Sequence, residues 1–292
     1  MQTRTIAGRT VSAIGLGGMP MSLEGSHDED QSIRTIHAAL DAGVRLIDTA
    51  DAYCENEADT GHNERLIAAA VSQWSGDASE VLVATKGGHT RTADGGWEVD
   101  GRPEHLRSAC EASLKALGVD VIGLYQYHRP DPEVPYAESV GTLRELQEEG
   151  KIQLAGISNA SVEQIREAMS ILPLASVQNE FSPRFRGSED ELAFCDEHGI
   201  AFLPWSPLGG IGKAKDLGPS HSVFAGVAEE RGVSPHQVAL AWELAKAPVV
   251  IPIPGASRPE TIRDSLQAVD LELTPDELAR LDEASGTRLG LG

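Results

Sequence analysis

Polar side chains of the kinds used in proton transfer follow three apolar runs in the first half of the chain. Asp48 comes at the end of one run, Lys86 at the end of the next, and His128 at the end of a third. Tyr53 stands a short distance beyond Asp48. If these runs are parallel strands of one barrel, their carboxyl ends share a face, and the four side chains form a single site.

Such a set of side chains suits the reduction of a carbonyl group. Hydride addition to C=O places negative charge on the oxygen, which then needs a proton donor. A phenol with a pKa of about 10 is a poor acid at neutral pH, and we expect the ammonium of Lys86 to lower the pKa of Tyr53. Asp48 would keep Lys86 charged, and His128 would orient the carbonyl by hydrogen bonding. Because no side chain donates hydride, a cofactor must supply it.

The apolar runs predict strands that are buried on both faces, since they are short, rich in β-branched residues and without strict polar–apolar alternation. They span Val11–Leu16, Val44–Ile47, Val81–Ala84, Val121–Tyr127, Ile152–Ile157, Ala175–Gln178, Ile200–Trp205 and Val249–Ile253. Parallel strands need helical crossovers, and a series of this length fits a closed barrel. We therefore predict an α/β fold, a (β/α)8 TIM barrel, as a single domain over residues 1–292.

Helix signals stand between the apolar runs. Gly43 and Gly118 follow predicted helices as C-caps, and Ser161 with Gln164 has capping-box spacing. The predicted helices span Asp28–Ala42, Arg102–Leu117, Pro135–Glu149, Ser161–Ser170, Glu189–His198, Ser234–Lys246, Arg258–Ala268 and Pro275–Ala284. Two of the helices are predicted to be additional to the strand–helix repeat of the barrel. Thr3–Ser12 is predicted to form an N-terminal β-hairpin that turns at Gly8 and closes one end of the barrel.

Composition narrows the classes of partner and location. The net charge of −21, from 45 acidic and 24 basic residues, excludes nucleic acid as the main partner, because nucleic-acid binding depends on Lys and Arg neutralising phosphates. Cys54, Cys110 and Cys195 form no C-x-x-C pair, which favours a reducing compartment over a disulfide or zinc framework. No leader-like apolar segment or membrane-length apolar run is present, so we predict a cytoplasmic protein without a membrane partner.

Along nearly its whole length the sequence resembles the aldo-keto reductase family. The motifs that carry the resemblance are G-L-G-G-M at 15–19, D-T-A-D-A-Y at 48–53, N-E-R-L-I at 63–67, A-T-K-G at 84–87, H-R-P at 128–130, G-I-S-N at 156–159, V-Q-N-E-F-S at 177–182, P-W-S-P-L-G-G at 204–210 and P-I-P-G-A-S at 252–257. Any one of them alone would be weak, but their joint occurrence in this order is highly specific.

The resemblance implies a catalytic tetrad and an extended nicotinamide cofactor across the barrel mouth. The tetrad falls on Asp48, Tyr53, Lys86 and His128. Residues expected around the nicotinamide ring and its amide are Gly18, Met19, Asp48, Ser158, Asn159, Gln178 and Trp205. Residues expected along the pyrophosphate are Ser206, Pro207, Leu208 and Gly210. Residues expected at the adenosine end are Pro254, Gly255, Ser257, Arg258, Asp264 and Ser265.

Three positions depart from the family pattern at the adenosine end. Asp264 and Ser265 stand where the family commonly has Glu-Asn, and the basic residue expected two after the glycine is replaced by Ser257, with Arg258 one later. A guanidinium at Arg258 can still bind a 2′-phosphate bidentately. NADPH is therefore the expected cofactor, with NADH left open.

The predicted function is reduction of an aldehyde or ketone to an alcohol by an NADP-dependent oxidoreductase of the alcohol dehydrogenase or carbonyl reductase type. The substrate is a small-molecule carbonyl, and His89, Trp97 and Arg129 lie in loops expected to overhang its pocket. Two cofactor motifs also resemble bacterial pyridoxal reductases, which makes pyridoxal a specific candidate. The family resemblance implies a monomer or a small homo-oligomer.

Two alternatives come from other functional classes. Potassium-channel β subunits share the family's fold and keep a cofactor while serving a channel partner, so a regulatory cofactor-binding module is the alternative function. The acidic surface and the short N-terminus argue against it here. A Schiff-base enzyme with Lys86 as nucleophile is disfavoured, because that chemistry needs a neutral amine and Asp48 would hold the lysine charged.

Overall fold

A computed structural model describes residues 1–23, 28–209 and 222–285. The strands of this part of the chain are β1 (Thr3–Ile6), β2 (Arg9–Ser12), β3 (Leu16–Gly17), β4 (Leu46–Asp48), β5 (Leu82–Gly87), β6 (His89–Arg91), β7 (Trp97–Val99), β8 (Ile122–Tyr127), β9 (Ile152–Ser158), β10 (Leu174–Gln178) and β11 (Ala201–Phe202). Its helices are α1 (Glu29–Asp41), α2 (His62–Gln73), α3 (Pro103–Leu117), α4 (Tyr136–Glu148), α5 (Val162–Ile171), α6 (Glu189–His198), α7 (Ser222–Arg231), α8 (Pro235–Leu244), α9 (Pro259–Leu266) and α10 (Pro275–Ala284).

Seven parallel strands form one curled sheet in the order β11, β10, β9, β8, β5, β4, β3. The segment 249–255 closes this sheet into a barrel. On one side the N–H of Ile251 donates to the Phe202 carbonyl at 2.9 Å, and on the other the Gly17 N–H donates to the Pro254 carbonyl at 3.0 Å. The predicted (β/α)8 barrel is confirmed, and the predicted eighth strand is an extended segment because Pro252 and Pro254 have no N–H for a continuous ladder.

The N-terminal residues form the predicted hairpin. β1 and β2 pair in antiparallel register from Thr3–Ser12 to Ile6–Arg9, and both turn residues, Ala7 and Gly8, have positive φ, as a two-residue hairpin turn requires. The expectation of one opening strand over Val11–Leu16 is wrong, because this stretch is divided between the hairpin strand β2 and the barrel strand β3.

The interior of the barrel is filled by aliphatic side chains, and the hairpin contributes to its floor. Ile6 and Val11 belong to the same buried cluster as Leu46, Leu82 and Leu124 from the strands. A second and larger cluster lies between the strands and the surrounding helices. The hairpin therefore plugs the end of the barrel from which the strands start, leaving the carboxyl ends of the strands as the open mouth.

The predicted helices appear within a few residues of their expected ends. The capping box of Ser161 and Gln164 is formed at the start of α5, and α3 ends at Gly118 in a left-handed conformation. Among the described residues, α7 and α8 precede the eighth barrel segment and α9 and α10 follow it, so two helices exceed one per strand. No helix of the described residues has both the length and the apolar character needed to cross a lipid bilayer.

Two helices and one β-hairpin were not expected from the sequence. Helix α2 begins after Gly61, which has positive φ and offers no side-chain cap, so its start carries no polar signal. Helix α7 lies just after the undescribed residues 210–221. Strands β6 and β7 form an antiparallel hairpin inside the stretch Gly87–Gly101, which contains none of the predicted strands or helices.

Candidate active site

Side-chain alternation places the predicted catalytic residues above the filled interior of the barrel. Leu46 packs into that interior, and Asp48 is two residues further along β4. Leu82 does the same at the start of β5, and Lys86 is four residues further on. Because successive side chains of a strand point to opposite faces, residues an even number apart share one face. His128 follows the end of β8 in the same manner.

Asp48 and Lys86 form a buried ion pair at the barrel mouth. The Lys86 Nζ lies 2.8 Å from Asp48 Oδ2 and donates a further hydrogen bond to the Thr49 carbonyl at 2.7 Å. The other Asp48 oxygen, Oδ1, accepts from Gln178 Nε2 at 2.8 Å. Burial by itself would lower the pKa of Lys86, but Asp48 and Tyr53 outweigh burial and raise it. Lys86 is therefore an ammonium at neutral pH.

Tyr53 receives the third hydrogen bond of that ammonium. Lys86 Nζ lies 3.2 Å from Tyr53 Oη and 5.0 Å from the centre of its ring. Burial raises the pKa of Tyr53, and the opposing effect of Lys86 does not cancel that of burial. The expectation of a lowered pKa is thus wrong in net direction, although Lys86 acts in the expected sense. Tyr53 holds its proton at neutral pH.

His128 completes the group and is neutral. Its ring lies edge-on to Tyr53 with 5.8 Å between the ring centres. Burial lowers its pKa well below the usual range, and the charge of Lys86 acts in the same direction. The Nδ1 atom is buried without a hydrogen-bond partner among the described residues. A neutral imidazole in this position keeps one N–H and one acceptor nitrogen.

An elongated cavity of about 740 Å³ opens over these residues, a volume within the usual range for small-molecule sites. It contains most of the residues predicted to form the site. Those that line it are Met19, Asp48, Tyr53, His89, Trp97, His128, Arg129, Ser158, Asn159, Gln178, Trp205, Ser206, Pro207, Leu208, Pro254, Gly255, Ser257, Arg258 and Asp264. Lys86 lies beneath Tyr53 and is fully buried.

Amide and hydroxyl groups at the ends of β9 and β10 present acceptors to the cavity. Asn159 Nδ2 donates to the His128 carbonyl at 3.0 Å, and Ser158 Oγ donates to the Gln178 carbonyl at 2.7 Å. Asn159 is held with a positive φ of 57°. With their NH2 groups engaged, Asn159 and Gln178 leave their side-chain oxygens without a donor among the described residues. These oxygens match the NH2 group of a carboxamide.

The next wall of the cavity follows β11. Trp205 is half-buried, and its Nε1 has no hydrogen-bond partner among the described residues. Ser206 has a positive φ of 52°, and the Gly209 N–H donates to its carbonyl at 2.8 Å. This tight turn carries Pro207 and Leu208 along the cavity. The predicted contact Gly210 lies outside the described residues.

Glycines permit close backbone contact between the first and the last barrel segments. A Cβ on Gly17 would lie 2.8 Å from the Ile253 carbonyl oxygen, and a Cβ on Gly255 would lie 2.6 Å from Pro20 Cγ. Gly18, a predicted cofactor contact, is buried and does not line the cavity, since its carbonyl accepts from Asn63 Nδ2 at 2.9 Å. Its neighbour Met19 does line the cavity.

The far end of the cavity lies at the start of α9. Arg258 is exposed there and has no carboxylate within ion-pair distance among the described residues. Asp264 also lines the cavity, but its two oxygens accept from Ser234 Oγ and Gln237 Nε2, each at 2.6 Å, and so are held by side chains at the start of helix α8. Ser265 is buried and does not line the cavity.

Several lining residues had not been singled out from the sequence. They are Gly17, Pro20, His236, Ile253, Ala256, Glu260 and Thr261. Gly17 and Ile253 belong to motifs already quoted, so position within those motifs was a usable signal. His236 is in the first turn of α8, and only the three-dimensional packing of α8 beside α9 brings it to the cavity.

The hairpin of β6 and β7 overhangs the end of the cavity that holds Tyr53. His89 stacks on Trp97 with 4.5 Å between ring centres, and it meets the His128 ring edge-on at 4.9 Å. The guanidinium of Arg91 lies 4.0 Å from the centre of the Trp97 ring on its outer side. Arg129 lines the cavity at this same end.

Cys54, next to Tyr53, is not placed for nucleophilic chemistry. It is a free, buried thiol whose Sγ donates to the Asn56 carbonyl at 3.2 Å. Burial raises its pKa to about 11. Since the thiolate is the nucleophile, this residue is inert at neutral pH.

Comparison with known proteins agrees with this geometry. A sequence model of the Aldo/keto reductase family matches residues 13–285. An uncharacterized oxidoreductase of Schizosaccharomyces pombe is 33% identical over 285 residues, which cover 96% of this chain and 89% of the relative.

Solved structures indicate the same family. A glycerol dehydrogenase from Gluconobacter oxydans superposes with a TM-score of 0.83 at 29% identity, covering 97% of this chain and 94% of that one. An aldo/keto reductase from Klebsiella pneumoniae, solved in complex with NADP and acetate, superposes with a TM-score of 0.81 at 27% identity over 97% of this chain and 95% of that one. The chain is an oxidoreductase that belongs to the aldo/keto reductase family.

Proposed function

We propose that this protein reduces an aldehyde or ketone to the corresponding alcohol, with NADPH as the hydride donor and Tyr53 as the proton donor. The observation that carries the proposal is the chain of contacts from Asp48 to Lys86, at 2.8 Å, and from Lys86 to Tyr53, at 3.2 Å. This chain ends at a cavity wall that also contains His128. The subtype that fits is an alcohol dehydrogenase or carbonyl reductase.

Each of these residues has a defined part in the proposed reaction. Tyr53 holds its proton in the resting site and donates it to the carbonyl oxygen as negative charge builds there. The Lys86 ammonium stabilises the phenolate that remains, because a nearby positive charge favours the ionised phenol. Neutral His128 donates an N–H to the carbonyl and orients it, which keeps the substrate oxygen close to Tyr53.

The cavity suits an extended dinucleotide. The free oxygens of Asn159 and Gln178 would accept from a nicotinamide carboxamide, and Trp205 would stack on the ring. At the far end, Arg258 would bind a 2′-phosphate, which favours NADPH. When bound, the nicotinamide supplies the hydride that no side chain provides. The NADP complex of the structurally similar Klebsiella pneumoniae protein supports this assignment.

The proposal is tested by NADPH absorbance with a panel of aldehydes that includes pyridoxal and a nitrobenzaldehyde. Tyr53→Phe should lower kcat by roughly 10²- to 10⁴-fold, because it removes the proton donor. NADPH binding, measured by fluorescence, should stay nearly unchanged in this variant. Tyr136→Phe is the matched control, since its buried hydroxyl has no partner among the described residues and does not line the cavity.

Full turnover by Tyr53→Phe would contradict the assigned proton donor. Tight NADPH binding without turnover of any aldehyde would instead favour the regulatory cofactor-binding module. Cytoplasmic location and a monomeric or small oligomeric state stay predictions from the sequence.

A further inference from the structure

Arg129 is a cation without a counter-ion at the end of the cavity that holds Tyr53. It lines the cavity, and it makes no hydrogen bond or ion pair with any described residue. Its Nε atom is buried from solvent and unpartnered among the described residues, as are those of Arg4 and Arg91, but of the three only Arg129 lines the cavity. A buried N–H donor without an acceptor is rare in folded proteins and calls for an explanation, such as a ligand that is bound there in function.

Many arginines elsewhere in this acidic chain do have carboxylate partners. Ion pairs are formed by Arg45, Arg65, Arg102, Arg107, Arg186, Arg231 and Arg280. A net charge of −21 means that acids are plentiful. Of the described arginines that form no ion pair, Arg129 and Arg258 are the ones that line the cavity, one at each end.

Hydrogen bonds hold the turn that carries Arg129, and they occupy both oxygens of Asp131, the acid nearest to Arg129 in the sequence. Asp131 accepts the Gly101 N–H and the Glu133 N–H through its two oxygens, each at 2.8 Å. The Asp131 N–H in turn donates to Tyr127 Oη at 2.8 Å. These contacts hold Asp131 to the backbone, and they position Arg129 on a rigid turn.

In the part of the chain that the structure describes, the walls around Arg129 provide no other free charge. The side chains that line this end of the cavity with it are those of His89, His128, Trp97 and Tyr53. Burial lowers the pKa of His89 to about 4, and the charge of Arg129 adds to this effect, so the imidazole is neutral at physiological pH. His128 is neutral as well. Asp48, the acid at this end, is already paired with Lys86.

Arg91, the other cation near His89, is engaged elsewhere. Its guanidinium stacks on Trp97, and its Nη2 donates to the Glu55 carbonyl at 2.8 Å. It does not line the cavity. Arg129 is thus the guanidinium that the described residues offer to a molecule lying between Tyr53 and the hairpin of β6 and β7.

We infer that the substrate carries an oxyanion group, a carboxylate or a phosphate, which Arg129 binds while the carbonyl lies against Tyr53 and His128. This inference rests on the proposed function. A guanidinium offers a planar fork of donors that matches either group. Because the overall negative charge of the protein repels anions, a local cation is required to hold one in the cavity.

The experiment compares matched pairs of aldehydes that differ in one charged group. One pair is 4-carboxybenzaldehyde and its neutral methyl ester, and the other is pyridoxal 5′-phosphate and pyridoxal. Wild type is expected to prefer the anionic member. Arg129→Met should lower kcat/KM for that member by roughly 10- to 100-fold, mainly through KM, with little change for the neutral one. Arg129→Lys should retain part of the preference.

Arg91→Met is the matched control, because it tests whether loss of any positive charge near the barrel mouth has the same effect as loss of Arg129. It removes the same charge from the same end of the cavity but leaves Arg129 in place. The preference for the anionic aldehyde should persist in this variant. A binding measurement gives a second readout: benzoate should quench tryptophan fluorescence of the NADP-loaded protein more strongly than benzamide does, and Arg129→Met should abolish that difference.

Each outcome separates this inference from the proposed function. Equal losses for both members of a pair in Arg129→Met, or the same change in Arg91→Met, would overturn the role of Arg129. A wild type that reduces only neutral aldehydes would overturn the inference and leave the proposed function standing. A wild type that reduces none of the four would overturn both. A preference restricted to one pair would support the inference and identify the anion as carboxylate or phosphate.

Discussion

Two of the protein's buried carboxyl groups are accommodated in opposite ways, one at the strand ends and one in a helix. Asp48 is 3% exposed and has a donor on each oxygen, the Lys86 ammonium and the Gln178 amide. Glu243, in α8, is fully buried, and neither of its oxygens has a hydrogen-bond partner among the described residues.

The difference shows that the described part of the fold provides hydrogen-bond donors for the buried carboxyl group of its active site and not for the one in α8. A buried carboxylate persists as an ion where it is paired and hydrogen-bonded, and otherwise takes up a proton. Burial alone raises the pKa of Glu243 well above its usual range, which favours the protonated, neutral acid. The barrel mouth supplies Asp48 with two specific donors, whereas the packing around α8 supplies Glu243 with none.

Replacing Lys86, the cation that pairs with Asp48, should have the largest effect on stability and turnover. Lys86→Met leaves a buried carboxylate without its counter-ion, and we expect it to lower the free energy of unfolding by about 3–5 kcal/mol. Turnover should also be lost, because the Tyr53 phenolate would no longer be stabilised. Urea unfolding and the NADPH assay measure the two effects.

A second variant separates charge from packing in this experiment. Lys86→Met combined with Asp48→Asn should recover much of the lost stability but none of the activity. If the single variant were as stable as wild type, the ion pair would not hold the site together as described.

Changing the other acid should raise stability. Glu243→Leu replaces two unpartnered oxygens with apolar surface, and we expect a gain of about 2–3 kcal/mol at pH 7. Because the folded-state pKa is raised, wild type loses stability from this group as pH increases above its usual value of 4.5. The gain in Glu243→Leu should therefore be small near pH 4 and increase with pH, as followed by urea unfolding at a series of pH values.

A variant that is less stable than wild type at every pH would contradict the neutral, unpartnered state of Glu243. Glu243→Gln is the control for shape. It should remove the pH dependence while keeping two polar atoms in the same space, and so should recover less stability than the leucine variant.

The contrast between the two acids also marks what sequence could predict. Asp48 stands at a strand end inside a specific motif, so its place in the site followed from strand periodicity and from the family resemblance. Capped helices such as α5 were predictable because Ser161 and Gln164 are local signals. Helix α2 was not, because Gly61 provides no side-chain cap.

Properties that depend on packing from several elements could not be predicted. The net pKa direction of Tyr53 results from burial against the nearby charge of Lys86, and burial is not visible in sequence. The hydrogen bond from Ser234, at the start of α8, to Asp264 joins residues that are far apart in the chain. Arg129 was expected near the pocket from its strand-end position, but its lack of a partner depends on the turn fixed by Asp131.

The smallest effect on stability is expected from loss of the hydrogen bond between Gln178 and Asp48. Gln178→Leu leaves Asp48 Oδ1 without its donor, and we expect the cofactor-free protein to lose about 1–2 kcal/mol of unfolding free energy. The loss should appear without NADPH, because the hydrogen bond from Gln178 to Asp48 is present within the chain itself.

Ser158→Ala is the control, because it removes a hydrogen bond at the same wall of the cavity, from Ser158 Oγ to the Gln178 carbonyl at 2.7 Å, and leaves the donor to Asp48 in place. If Gln178→Leu changed NADPH affinity but left the stability of the cofactor-free protein unaltered, Gln178 would serve the cofactor alone. A loss in both measurements would mean that the same amide positions the Asp48 carboxylate with its NH2 group and binds the cofactor with its oxygen. The paired state of Asp48, and its contrast with Glu243, would then depend on a residue that the cofactor also uses.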